Sequence, residues 1–191
     1  MTLSISGGRS ILYNRPFAKW ELTEYLQSII PKNKDTYIVT CIGSDRSTGD
    51  SLGPLTGSLL KRLPLKVLQI YGTLHEPLHA LNLEESLHNL NEQHPEAFII
   101  ALDAALGKLS SIGHITCRPG PLQPGAALKK QLPAVGEVHI SAVVNVHNDF
   151  NFFNLQNTRL SLVYDMAELL TSSLYWLDRF LYQQSEERTY T

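Results

Sequence analysis

The sequence has no long basic run, no extended apolar stretch and almost no cysteine. Its 191 residues carry 16 Lys and Arg against 18 Asp and Glu, a formal net charge of -2. Without a basic patch, the counterion release that drives nucleic-acid binding has no source, so nucleic acid is not an expected partner. No segment reaches the roughly 18 apolar residues of a spanning helix, and no membrane association is expected. Met1 to Asn14 shows neither a long apolar core nor a small-residue cleavage site, so the chain reads as cytoplasmic. Cys41 and Cys117, the two cysteines, sit in apolar, strand-like surroundings where a free thiol behaves as a small buried hydrophobe. A disulfide framework is thereby excluded, and the lack of any internal repeat excludes a solenoid.

What is present is ordinary globular composition, 43% hydrophobic and 18% charged, in a length that suits one domain. Pro16 to Ile30 places Phe17, Trp20, Leu22, Leu26, Ile29 and Ile30 at helical spacing, with Pro31 as the stop. Strand-like runs follow at Tyr37 to Ile42, Val67 to Tyr71 and Ala97 to Leu102. Helical patterns separate them, one through Leu55, Leu59, Leu60 and Leu63 and one from Leu78 to Leu90. Strands alternating with helices imply an α/β domain whose mostly parallel sheet is covered on both faces. Ile112 to Arg118 and Val138 to Val144 add two strands across the Pro/Gly-rich loop Pro119 to Gly125. A long closing helix runs from Arg159 to about Gln183, and the polar tail Gln184 to Thr191 is expected to fray. The expected unit is one domain over 1–191 with a core of about 15–183.

Two aspartates, Asp50 and Asp103, follow the first and third of these strands. In open α/β sheets ligands collect beyond the carboxyl ends of strands, where strand order reverses. An order of 2-1-3-4 makes the first and third strands neighbours and gives their trailing loops one crevice. Two carboxylates that close resist joint ionisation, so one keeps a proton and acts as acid while the other acts as base. Capping of the following helix is the structural alternative for each.

Three further motifs compete. His75-Glu76-Pro77-Leu78-His79 matches the H-E-x-x-H zinc signature, but Pro77 disfavours helix at Glu76 and points the histidines apart. Gly49-Asp50-Ser51-Leu52-Gly53 matches the G-x-S-x-G elbow, with Ser51 as nucleophile of a Ser51, Asp103 and His139 triad. The elbow needs its serine immediately after a strand, whereas Gly43 to Gly49 intervene here. The same loop lacks the P-loop lysine and the G-x-G-x-x-G spacing, so nucleotide binding is not expected.

The loop Gly43-Ser44-Asp45-Arg46-Ser47-Thr48-Gly49-Asp50-Ser51-Leu52-Gly53-Pro54 resembles the first aspartate loop of the bacterial spore germination protease. Leu102-Asp103-Ala104-Ala105-Leu106 resembles that protease's second aspartate motif, and hydrogenase maturation proteases carry related loops on the same α/β fold. Closer still is the sporulation protein family typified by YyaC, which the chain resembles from about Tyr37 to Ala167. Gly43 to Pro54, the His75-Glu76-Pro77 turn and Leu155-Gln156-Asn157-Thr158-Arg159-Leu160 carry the most specific likeness.

The resemblance implies a peptidase-like protein of an endospore-forming bacterium, in the forespore or mother cell, acting on a peptide or spore protein. Asp50 and Asp103 fall at the positions of the germination protease's two functional aspartates, and Ser44, Asp45, Gly49 and Ser51 become candidate substrate contacts. Because maturation proteases hold a metal with acidic residues and a histidine, a divalent ion held by Asp50, Asp103 and His139 is implied as an option. His75 is the second choice of histidine. In the leading reading Asp103 activates water and Asp50 protonates the scissile group, with the reverse assignment open. A non-catalytic relative that binds a peptide or partner, and a serine hydrolase using Ser51, are the rivals.

Overall fold

The computed structural model describes residues 7–125 and 132–189. Six strands and five α-helices follow one another in the order β1 (Arg9–Leu12), α1 (Ala18–Ile29), β2 (Tyr37–Cys41), α2 (Leu52–Leu60), β3 (Leu68–Tyr71), α3 (Leu83–Gln93), β4 (Phe98–Gly107), β5 (His114–Pro119), β6 (Val138–Val146), α4 (Asn151–Gln156) and α5 (Leu160–Thr189). The strands form one sheet in the order β1-β5-β6-β4-β2-β3. β3, β2, β4 and β6 run parallel, and β5 and β1 complete the sheet antiparallel.

The expected 2-1-3 arrangement is present as β3-β2-β4. The fourth place is corrected: β6, not β5, pairs with β4. Only Lys108 to Gly113 join β4 to β5. A connection that short cannot make the crossover that parallel strands need, so β5 returns antiparallel and the long 120–137 connection delivers β6 between them.

Strand alternation divides the core into two layers. Tyr37, Val39, Cys41, Ile100, Leu102 and Ile140 face α1, α2 and α5, while Ile38, Ile99 and Ala101 face the Leu83, Leu87 and Leu90 stripe of α3. Both cysteines are free and buried in the first layer, where burial pushes each thiol up to about 12. Among the described residues no helix is long and apolar enough to cross a membrane.

Four local expectations are revised. β1 lies inside the stretch expected to precede the core, because Ile11 is buried and extends the sheet through β5. α3 begins at Leu83 rather than Leu78, since Leu78 instead bridges to Ile42 beside β2. β4 continues five residues beyond Leu102 to Gly107. The expected frayed tail is helical through Thr189, held by Gln184 Nε2 donating to Glu187 Oε2 at 2.9 Å and Ser185 Oγ donating to the Tyr182 carbonyl at 2.7 Å; Tyr190 and Thr191 lie outside the described residues.

One carboxylate joins the longest helix to the sheet. Asp178 of α5 is fully buried and accepts the backbone N–H groups of Lys66, Val67 and Leu68 at 2.9–3.0 Å. Three donors at the entry to β3 thus depend on one side chain. Asp178→Ala removes the acceptor of all three, at about 1–3 kcal/mol for a donor that stays buried, as Leu68 N–H does. A loss on the order of 3 kcal/mol is expected in urea unfolding, and a loss within about 0.5 kcal/mol, the range of a neutral surface change, would refute this role.

Candidate functional site

The site forms where β2 and β4 part. Their register ends at the Cys41–Leu102 step, after which Ile42 N–H donates to the Leu102 carbonyl at 2.7 Å and the chain turns away. Beyond that step β4 keeps only β6 beside it, with Asp103 opposite Ser141. Asp103 is therefore inside a strand, not in the loop after one. Alternation puts its side chain on the face of Ala101, past the end of the α3 layer.

Asp50 arrives from the β2 side. It occupies a single 3-10 turn, Gly49–Ser51, ahead of α2. Ser44 N–H donates to the Asp50 carbonyl at 3.1 Å and Ser51 N–H to the Ser47 carbonyl at 3.0 Å, closing the loop on itself. That closure requires Gly43, which has φ of 141° and whose missing Cβ would lie 2.0 Å from the Asp50 carbonyl oxygen.

Asp50 and Asp103 line one cleft of about 380 Å³ together with Ala104, Leu106, Ser141, His147 and Leu155. Asp103 is half-buried in the cleft wall. Burial pushes that carboxyl well above the usual carboxylate range and the Asp50 charge pushes it further, against a smaller opposing effect of the Ala104 backbone N–H. Of two neighbouring carboxyls, the more desolvated one keeps its proton to higher pH.

The remaining expected site residues lie elsewhere. His139 stands at the start of β6, opposite Ala101, and its Nδ1–H donates to the Gly120 carbonyl at 2.9 Å. His75 is exposed on the turn that Thr73 and Glu76 close, Thr73 N–H donating to the Glu76 carbonyl and Glu76 N–H to Thr73 Oγ1, both at 3.0 Å. Neither lines the cleft. Among the described residues no three His, Cys, Asp or Glu side chains converge as a metal-holding group. The residues present thus do not fit the implied metal set of Asp50, Asp103 and His139, nor the one with His75.

The serine triad also fails to assemble, because Ser51 is buried with its hydroxyl donating to the Thr48 carbonyl at 2.7 Å and, like His139, stays out of the cleft. Ser44 Oγ accepts from Arg46 N–H at 3.2 Å, and Asp45 is exposed. Gly49 is packed so closely that a Cβ would meet Thr158 Oγ1 at 2.8 Å. None of these loop residues lines the cleft. The zinc motif is excluded by local structure, since His75 to His79 precede α3 altogether.

Sequence reasoning missed Ser141, His147 and Leu155. The signal for His147 was available: it follows the carboxyl end of β6, the same position relative to a parallel strand that singled out the aspartates. His139 lies two residues before Ser141 on that strand and does not line the cleft.

Residues 10–173 match the family described as "Protein of unknown function (DUF1256)", and the chain belongs to that family. It is 47% identical over 147 residues to the uncharacterized protein YyaC of Bacillus subtilis (strain 168), an alignment covering 77% of this chain and 72% of that one. Among solved structures, a [NiFe] hydrogenase maturation protease, HycI from Thermococcus kodakarensis KOD1, superposes with a TM-score of 0.56 at 17% identity. The superposition covers 83% of this chain and 99% of that one. The shared feature is the fold, a protease-like α/β architecture.

Two outcomes test the site. A carboxyl raised in the folded state stabilises fully below its unfolded value of about 4, and the contribution is lost as pH rises through the folded value. Relative to wild type, Asp103→Asn should therefore gain stability as pH rises above about 4; a difference that is flat with pH in urea titrations would contradict the buried proton. Gly43→Ala should displace Asp50 and lower the Asp103 titration midpoint, read by carboxyl carbon NMR, whereas an unmoved midpoint would separate the two features.

Proposed function

We propose that the chain is a peptidase-like hydrolase that uses the Asp50 and Asp103 pair on a peptide or spore-protein substrate. The observation that carries this reading is the raised Asp103 carboxyl, buried beside the charge of Asp50 in an open cleft. Burial and like charge are the two means by which a carboxylic acid is kept protonated for acid catalysis near neutral pH. The protease-like fold supports the same class, although fold likeness alone carries no chemistry.

The raised Asp103 carboxyl supports the reverse of the assignment expected first. Asp103 holds the proton and is the acid; Asp50 is the base. Asp50 takes a proton from water, the resulting hydroxide attacks the scissile carbonyl carbon, and Asp103 gives its proton to the departing amine nitrogen as the C–N bond breaks. A proton passing from Asp50 to Asp103 restores the pair, so one water and one peptide bond become a carboxylic acid and an amine. Ser141, in register with Asp103, lies where its hydroxyl can orient the substrate carbonyl.

Because positioned acids and bases typically contribute 10²–10⁴-fold, Asp50→Asn and Asp103→Asn should each lower kcat for spore-peptide cleavage by roughly a hundredfold or more. Circular dichroism should show the fold intact. Cleavage at the wild-type rate by either variant would end the proposal, and wild-type protein that cleaves no peptide while binding one would leave the site a peptide-binding cleft.

A further inference from the structure

The segment between β6 and α5 reverses the usual order of burial. Phe150, Phe152 and Phe153 are 70%, 61% and 61% exposed, while Asn145, Asn151 and Asn154 around them are half-buried. Asn145 Nδ2 donates to the Asn154 carbonyl at 2.8 Å, and Asn154 Nδ2 donates to the Val146 carbonyl at 3.0 Å and to Asn148 Oδ1 at 2.8 Å. Phe150 N–H is held by Asn148 Oδ1 at 2.8 Å, and Thr158 Oγ1 donates to the Asn154 carbonyl at 2.8 Å. Large apolar side chains normally take the inside and amides the outside. Folding alone gives no reason to fix three phenylalanines in water on a hydrogen-bonded frame.

The frame is also tied to the site. His147 just before it and Leu155 within it both line the cleft. Its far side is packed on the Asp50 turn, since a Cβ at Gly49 would meet Thr158 Oγ1 at 2.8 Å and the Leu155 carbonyl at 3.0 Å. The phenylalanines therefore lie in the short segment between two residues that line the cleft, His147 and Leu155. An exposed apolar group continuous with a polar cleft is the usual form of a recognition surface.

We propose that Phe150, Phe152 and Phe153 form a rigid platform that binds apolar side chains of an extended polypeptide lying across the cleft. This rests on the peptidase reading and names its substrate class: peptides with an apolar cluster beside the bond presented to Asp50 and Asp103. Binding energy gathered on the rim holds the scissile carbonyl at the pair, a use of remote contacts that rewards a platform with no freedom of its own. Leu155, buried at the base of the same frame, ties the platform to the core.

Binding is measured on the Asp103→Asn protein, so that no cleavage is required, by fluorescence polarisation with short fluorescein-labelled Gly-Ser peptides. One group carries paired leucines or phenylalanines, and the control carries none. Apolar peptides should bind in preference to the control, and adding Phe150→Ser, Phe152→Ser and Phe153→Ser should weaken them roughly tenfold or more with the melting temperature unchanged. Equal binding of control and apolar peptides, no binding by any of them, or equal affinity with and without the serines overturns the platform. So does sedimentation showing that the serines merely convert a dimer of this chain to monomer. Apolar peptides that bind through the platform but are never cut by wild type uphold the platform and sink the peptidase reading. Peptides that are cut with an unchanged KM by the serine variant do the opposite.

Discussion

β2 stops pairing with β4 at the Cys41–Leu102 step, yet β4 keeps β6 beside it out to Gly107. This difference in strand length opens the cleft. Up to Leu102, β4 is an interior strand covered on both faces; one residue later it has a neighbour on one side and a cavity on the other. Asp103 is the first residue past the change. Its carboxyl is close enough to the core to be desolvated and close enough to the gap to meet a ligand, and a loop aspartate further out would have only the second property. The Asp50 turn fills the other side of the gap because Gly43 lets the chain fold back without a Cβ against the Asp50 carbonyl.

The parts of the site that local patterning specifies were legible, and the parts set by strand length and pairing were not. Short β-branched runs ending near Cys41 and Leu102 located both aspartates, and crossover handedness placed their strands side by side. The run Leu102-Asp103-Ala104-Ala105-Leu106-Gly107 has no β-branched residue and no strand alternation to show that β4 continues. The continuation is imposed by β6, whose Val138–Val146 run supplies the hydrogen-bonding partner. The same omission misdirected the choice of histidine: with β6 unplaced, His139 looked like a site residue, whereas the direction of the strand brings His147 to the cleft.

Burial is the ground on which the proposed acid and base roles are assigned. Two carboxylates in one crevice are equivalent on paper. Asp103 rises from a strand with the core beneath it, where burial raises its carboxyl, while Asp50 rides a 3-10 turn. The asymmetry comes from the backbone elements that carry the residues, and it would persist through many substitutions in the loops around them. That fits a fold shared with a maturation protease at 17% identity: strand lengths and strand order survive sequence change far better than the side chains of a loop.

The asparagine frame after β6 shows a second way of spending stability on geometry. Amide side chains make local bonds that compete with regular helix, which is why α4 is only six residues long and distorted at both caps. A longer, ordinary amphipathic helix in this place would bury its phenylalanines against Leu155 and close the cleft mouth. Interrupting it with Asn148, Asn151 and Asn154 keeps the rings outside and the mouth open. The same residues that make the segment a poor helix therefore make it a rigid rim, and the position of that rim is fixed by the contact of Thr158 and Leu155 with the glycine beside Asp50. The proposed platform and the proposed aspartate pair meet at Gly49, which does not itself line the cleft.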